Sequence, residues 1–277
     1  LRSIPAATFF GPPYEVTPTA IALDADGSIV LAGAMYSGAT PTGGAVAATP
    51  GAFDTSFNGS SDGFIARLPA SLASLDVLTY FGGSADEFPQ SVRIDAAGQI
   101  HVSGSTDSPN FPVQAAGALK AAYDGSTDAF LVRFRASLDE FSATFLSRVG
   151  GVDDESGAVI TLGSGGTLYL LGMSGPLPSP AETTPRATIP VTGDAFQGQR
   201  APGATAAYLY RFGPDANGPE ITAVSPSGGG VPAAGSAITI VGSGFGVNAE
   251  VRIGGLPAIV TSPGATSIGV IMPAVAG

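Results

Sequence analysis

The chain repeats itself. Residues 8–33 (TFFGPPYEVTPTAIALDADGSIVLAG) align without a gap on residues 79–104 (TYFGGSADEFPQSVRIDAAGQIHVSG), 71 positions later. A further step of 68 reaches residues 147–172 (SRVGGVDDESGAVITLGSGGTLYLLG). The second halves also match: residues 51–68 fall on residues 117–134 at an offset of 66. The third copy is looser there, with DAFQ at 194–197 and AAYLYRF at 206–212. Three units therefore cover about 8–78, 79–146 and 147–212. This constrains the fold more than any other feature. A unit of this period is one supersecondary element that buries its apolar face only against its neighbours.

Each unit reads as strands. In AIALDADGSIVLAG two apolar runs flank Asp24-Ala25-Asp26-Gly27, a hairpin signal. In the middle copy Val92 and Ile94, then Ile100 and Val102, alternate with small or polar residues at period two. GFIARL (63–68) is a third strand and the Tyr-Phe-Gly-Gly segment a fourth. Glycines at 27, 98 and 166 mark turns, and those at 33, 104 and 172 mark strand ends. Four antiparallel strands per repeat is the plan of a propeller blade.

Composition agrees and then excludes. Gly (40) and Pro (23) are too frequent for long helices. Charged residues are 12% and apolar ones 44%, which is not a disordered profile. There is no cysteine, so neither disulfides nor thiolate chemistry. One histidine, His101, excludes multi-histidine metal sites, and Lys120 is the sole lysine. Trp, the usual sugar-stacking platform, is absent. A net charge of −11 disfavours nucleic acid and anionic lipid as partners. No apolar run reaches the roughly 18 residues of a membrane span, so no membrane insertion is expected. The chain starts at Leu1, which suggests a processed product or a piece of a longer protein.

The pattern TYFGGS, then the Asp-Gly hairpin, then GSTDSPNFPV (104–113) and YDGSTDAFLVRF (123–134) resembles the bacterial β-propeller repeat family known as SBBP. The first copy departs from it at Pro12-Pro13, and the third carries an insertion around 174–206. The resemblance implies a secreted or surface-exposed bacterial protein and no particular reaction. After a turn-rich linker at 214–218 the chain changes character. ITAVSPSGG, ITIVGSGFG, VRIGGLPA and IGVIMPA, over 219–277, resemble the IPT/TIG immunoglobulin-like domain. Strands are expected at 221–224, 237–241, 250–253 and 267–271, with the sandwich's last strand lacking. The expected fold is all-β: three four-stranded propeller-type blades over 1–213, then an immunoglobulin-like β-sandwich.

Candidate chemistry is sparse. His101 has no nucleophile-elbow serine to serve, and it reads as a strand histidine. The Asp24–Gly27 turn resembles part of a calcium loop, but its aspartates are lost from copy to copy: Asp95 alone remains in the second turn and none in the third. Asp86-Glu87 aligns with Asp154-Glu155, with Asp153 added and Glu15 in the first copy. These carboxylates could hold Ca²⁺, the one cofactor considered; no catalytic or other cofactor-binding residue is assigned. Because they recur once per unit, a structural role is the stronger reading. Arg67, Arg133 and Arg211 recur likewise, so salt bridges between these arginines and Asp86, Glu87, Asp154 and Glu155 are expected. The Pro-rich stretch 173–193 is a surface or docking loop.

Three blades do not close a propeller, which takes four to eight. Truncation explains this, and so does completion of open edges by other subunits through strand addition. The expected function is a non-enzymatic extracellular structural or assembly protein: part of a surface layer, matrix fibre, filament or adhesin. Its partners would be further copies, other surface proteins or glycans. The alternatives are a glycan- or protein-binding module of a larger secreted protein, or a non-catalytic fragment of a secreted hydrolase or lyase.

Overall fold

The computed structural model describes residues 6–11, 16–36, 47–114, 118–120, 122–123, 126–140, 142–175, 189, 192, 195, 197, 201, 204–213, 220–225, 233–243, 251–253, 256–262, 264 and 267–272. The fold is all-β, and the chain divides into two compact units, Leu1–Phe212 and Gly213–Gly277. Among the described residues the first unit holds three antiparallel sheets. The first sheet is β1 (Val16–Leu23), β2 (Ile29–Tyr36), β3 (Ser61–Leu68) and β4 (Val77–Phe81), paired in that order. The second is β5 (Glu87–Ile94), β6 (Ile100–Thr106), β7 (Asp128–Phe134) and β8 (Ala143–Val149). The third has β9 (Asp154–Leu162), β10 (Leu168–Gly175) and β11 (Ala206–Phe212).

The sheets and the sequence repeat are out of frame. The Thr-Tyr-Phe segment that opens the second sequence unit lies in β4, the last strand of the first sheet. The Gly-Gly pair then carries the chain into β5. Each sheet is thus a plain meander, and in the second and third sheets the first strand follows a Gly-Gly turn.

Local chemistry explains the shared shape. In all three hairpins a turn glycine has positive φ: +84° at Gly27, +76° at Gly98 and +78° at Gly166. Gly33 and Gly104 do not end strands, contrary to expectation. They sit inside β2 and β6, opposite a register shift at Pro18/Ala20 and at Pro89/Ser91. A Cβ on Gly33 would lie 2.2 Å from the Thr17 carbonyl oxygen, and one on Gly104 2.1 Å from that of Phe88. The bulge brings backbone where a side chain would stand.

The sheets stack face on face. The innermost strand of each sheet lies across the sheet before it: β5 across β1–β3, and β9 across β5–β7. Ala32, Ile65 and Phe81 of the first sheet share a core with Val92, Val102 and Phe130 of the second. Ala129 and Leu131 of the second share another with Ile160, Leu170 and Tyr208 of the third. Burying one such large apolar side chain contributes about 1.5–3 kcal/mol, so these interfaces hold the unit together.

The second unit is β12 (Glu220–Ser225), β13 (Ala237–Ser243), β14 (Val251–Ile253), β15 (Leu256–Ser262) and β16 (Ser267–Ile271). The order is β12-β13-β16-β15-β14. Ile238, Ile240, Ile268, Val270 and Met272 form its core, joined by Val251, Ala258 and Val260. The four expected strands are present. β15 was not expected, because Pro257 interrupts its apolar pattern. The linker at 214–218, Glu15 and most of the Pro-rich stretch lie outside the described residues.

Candidate functional site

The acidic pairs after the Gly-Gly turns form two equivalent clasps. Glu87 is fully buried at the start of β5, in register with Thr106 of β6. Thr106 donates its hydroxyl to one carboxylate oxygen (2.6 Å) and the Gly83 N–H donates to the other (3.1 Å). Glu155 repeats this at the start of β9, opposite Ser174. The Ser174 hydroxyl donates at 3.0 Å and the Gly151 N–H at 3.0 Å. The first glycine of each pair is required by this approach. A Cβ on Gly82 or Gly150 would lie 2.3 or 2.1 Å from the carboxylate oxygen.

Burial pushes both acids up to about 7, against the opposing pull of their hydrogen bonds. The nearby carboxylate of Asp62 adds to the shift at Glu87, and that of Asp128 at Glu155. In the first sheet the aligned pair is Val16 and Met35, in the same register. An apolar pair thus fills the place of the hydrogen-bonded one.

The neighbouring aspartates staple one sheet to the next. Ser61, at the start of β3, donates its hydroxyl to Asp86 (3.1 Å). Its counterpart Asp154 accepts from the Ser126 N–H (2.8 Å) and the Ser126 hydroxyl (3.0 Å). Asp153 is buried in the same turn.

A third layer of charge lies behind the clasps. Asp62 is buried and accepts from the N–H groups of Asn58 (2.8 Å) and Gly59 (2.9 Å). Burial raises its pKa despite those bonds. Its counterpart Asp128 instead meets Lys120 at 2.5 Å and the Arg148 guanidinium at 3.5 Å. Lys120 also donates to the Gly151 carbonyl. Arg148 donates to the carbonyls of Ser108 (3.0 Å) and Pro109 (2.7 Å), and stands over the Tyr123 ring. Sequence reasoning missed Lys120 and Arg148, because neither recurs: the aligned positions hold Asp54 and Tyr80. The single lysine of a −11 chain was the available signal.

The expected arginine–carboxylate pairing needs correction. Arg67 pairs with Asp24 (3.1 Å) and Asp26 (2.6 Å) of its own hairpin turn, not with Asp86 or Glu87. Registers give the reason. Arg133 stands opposite His101, whereas Asp128 stands opposite Thr106 and hence Glu87. Five residues of strand, about 17 Å, separate the arginine row from the carboxylate row. Arg211, opposite Tyr169, is likewise at the far end from Glu155, which pairs with Ser174. Arg133 donates to Thr144 (3.0 Å). The Asp24–Gly27 turn spends its carboxylates on Arg67 and on the N–H groups of Ala25 and Ser28.

His101 lies in β6, buried, with Nε2 2.9 Å from Asp95 of its own hairpin turn. Burial alone would raise Asp95. The His101 contact and the Gln99 and Ala97 N–H groups outweigh it and hold the carboxyl low. Among the described residues no three His, Cys, Asp or Glu side chains converge as metal ligands.

The architecture defines an all-β chain of stacked repeats followed by an immunoglobulin-like module. For that module the class narrows: the IPT/TIG domain family model matches residues 219–277. No curated protein matches the chain.

Proposed function

We propose that this chain is a non-enzymatic structural protein of the bacterial cell exterior. In this reading the stacked sheets are propeller-type blades of the SBBP kind, and the chain is a building block of a surface layer, matrix fibre, filament or adhesin. One observation carries it: the recurrent charged side chains are spent inside the molecule. Glu87, Glu155 and Asp128 bond to groups that tie turns and strands together, and Asp62 holds the N–H groups of the loop that leads into β3. A surface that binds by charge needs such groups facing solvent. Here they act as fasteners, and the partners left to the chain are further copies, other surface proteins or glycans.

Negative-stain microscopy of the purified chain, with a glycan array, tests this reading. Regular assemblies without a specific glycan support it. A glycan bound selectively by the monomeric chain would replace it with the binding-module reading.

A further inference from the structure

We propose that a second copy of this chain stacks head to tail on the first, so that two copies close a ring of six sheets. The inference deepens the structural reading above and rests on it.

The stack has two unlike ends. The face of the first sheet that looks away from the second carries Ile21 and Leu23, 62% and 69% exposed. Val92 and Ile160, the counterparts of Ile21, are fully buried, each against the preceding sheet, and Ile94 and Leu162, those of Leu23, are half-buried against the same cores. At the other end, the outward face of the third sheet carries Val159, Leu171 and Leu209 in one paired row. Leu171 is 50% exposed and Leu209 67%. Their counterparts in the second sheet, Ser91, Ser103 and Leu131, are covered by β9. Ser91 and Ser103 donate their hydroxyls to the Ile160 and Ala158 carbonyls. The open tail is therefore the interface face of the stack carried one sheet further, with leucine and valine in place of serine. What it is shaped to receive is the inner strand of a following sheet, and the open head offers one in β1.

Among the described residues the tail lacks an outer strand and the head carries a segment that pairs in no sheet. Among the described residues nothing pairs with the outer side of β11, where the first two sheets have β4 and β8. Residues 6–10 (AATFF) belong to no sheet, yet they align with β4. Phe10 packs on Phe64 with ring centroids 5.4 Å apart, as Phe81 of β4 packs on Phe130 at 5.5 Å. The segment already sits on the first sheet as β4 sits on the second. Carrying over the pairings Ile65↔Thr79 and Leu131↔Ser147 puts Thr8 of one copy opposite Leu209 of the other.

Size and symmetry agree. Unlike faces that meet head to tail either close a ring or run on as a filament. Six sheets fall within the four to eight of closed propellers. A three-strand face seven residues long covers roughly 340 Å². Closing a ring of two covers four such faces, roughly 1,400 Å², within the range of specific interfaces.

The chain has no cysteine, so introduced thiols report one contact only. A Thr8→Cys chain mixed with a Leu209→Cys chain is expected to give a disulfide-linked heterodimer under mild oxidation. The unmodified chain is expected to show twice the monomer mass by light scattering. Ile21→Asp or Leu171→Asp, both at exposed positions, is expected to leave the circular dichroism of the folded chain unchanged and return the mass to one chain. A monomer at all concentrations overturns the proposal, as do open head-to-tail polymers in which each copy uses both end faces without closing a ring of two. So does a dimer that survives both aspartate substitutions, since it is held elsewhere. A monomer would leave the structural reading intact, whereas a ligand or reaction found for the chain would defeat that reading without changing the mass.

Discussion

Glu87 and Glu155, 68 residues apart, are the same residue in two sheets: each buried carboxylate takes the N–H of the second glycine in a Gly-Gly turn and the hydroxyl of its cross-strand partner. The turn that carries the chain from one sheet to the next is thus locked to the strand it leads into. The cost is a carboxyl group out of water, and this shapes the pH dependence.

Both acids are held at about 7 in the folded chain, against 4.5 as the ordinary value. Folding therefore favours the protonated form. Their stabilising contribution is fully present below about pH 4.5 and is lost as pH rises through 7. Melting temperature is expected to fall between pH 5 and pH 8. Glu87→Gln with Glu155→Gln is expected to flatten that slope. Scanning calorimetry across the window checks it, and an equal slope in the double variant contradicts it.

Asp95 works in the opposite sense. Its folded carboxyl lies below its ordinary value of 3.8, so its contribution is present above that value and is lost as pH falls through the lower folded one. His101→Gln removes the side-chain partner. The acid-unfolding midpoint, followed by circular dichroism, is expected to move to higher pH.

Asp128 separates two buried cations, Lys120 and Arg148. Asp128→Asn removes the carboxylate that both meet, and breaking a buried pair from one side costs about 3–5 kcal/mol. Arg67→Ala is the contrast, since its partner Asp26 is largely exposed. Urea unfolding of the two variants is expected to show a much larger loss for Asp128→Asn.

Gly104→Ala places a Cβ 2.1 Å from a backbone oxygen in the bulge, where neither strand can give way without losing register. The expected loss is about 1–3 kcal/mol. Gly213→Ala, with nothing within 4 Å, is expected to change stability by less than about 0.5 kcal/mol. Equal effects at the two sites would remove the argument for the bulge.

The hairpins were legible because their signals are local. An Asp or Gly turn between alternating apolar runs specifies two strands by itself, and all three hairpins appear where the turns place them. The unit frame was less legible. Sequence alignment groups Tyr80-Phe81 with the residues that follow, while hydrogen bonding groups them with β3 before. The acidic pairs were visible as recurring residues. Their partners were not, because alignment shows which residues recur and not which rows they share. Arg67 and Glu87 both recur or align by unit, yet they sit at opposite ends of their strands.

The all-β class, the three repeated units, the hairpin turns and the change of module near residue 214 are written locally in the chain. All of these follow from periodicity and turn chemistry within a few residues. Where one sheet ends and the next begins, which charges meet and which apolar faces remain open are set by the packing of distant segments. Those depend on register and stacking between residues tens of positions apart, where one row of offset along a strand changes every partner.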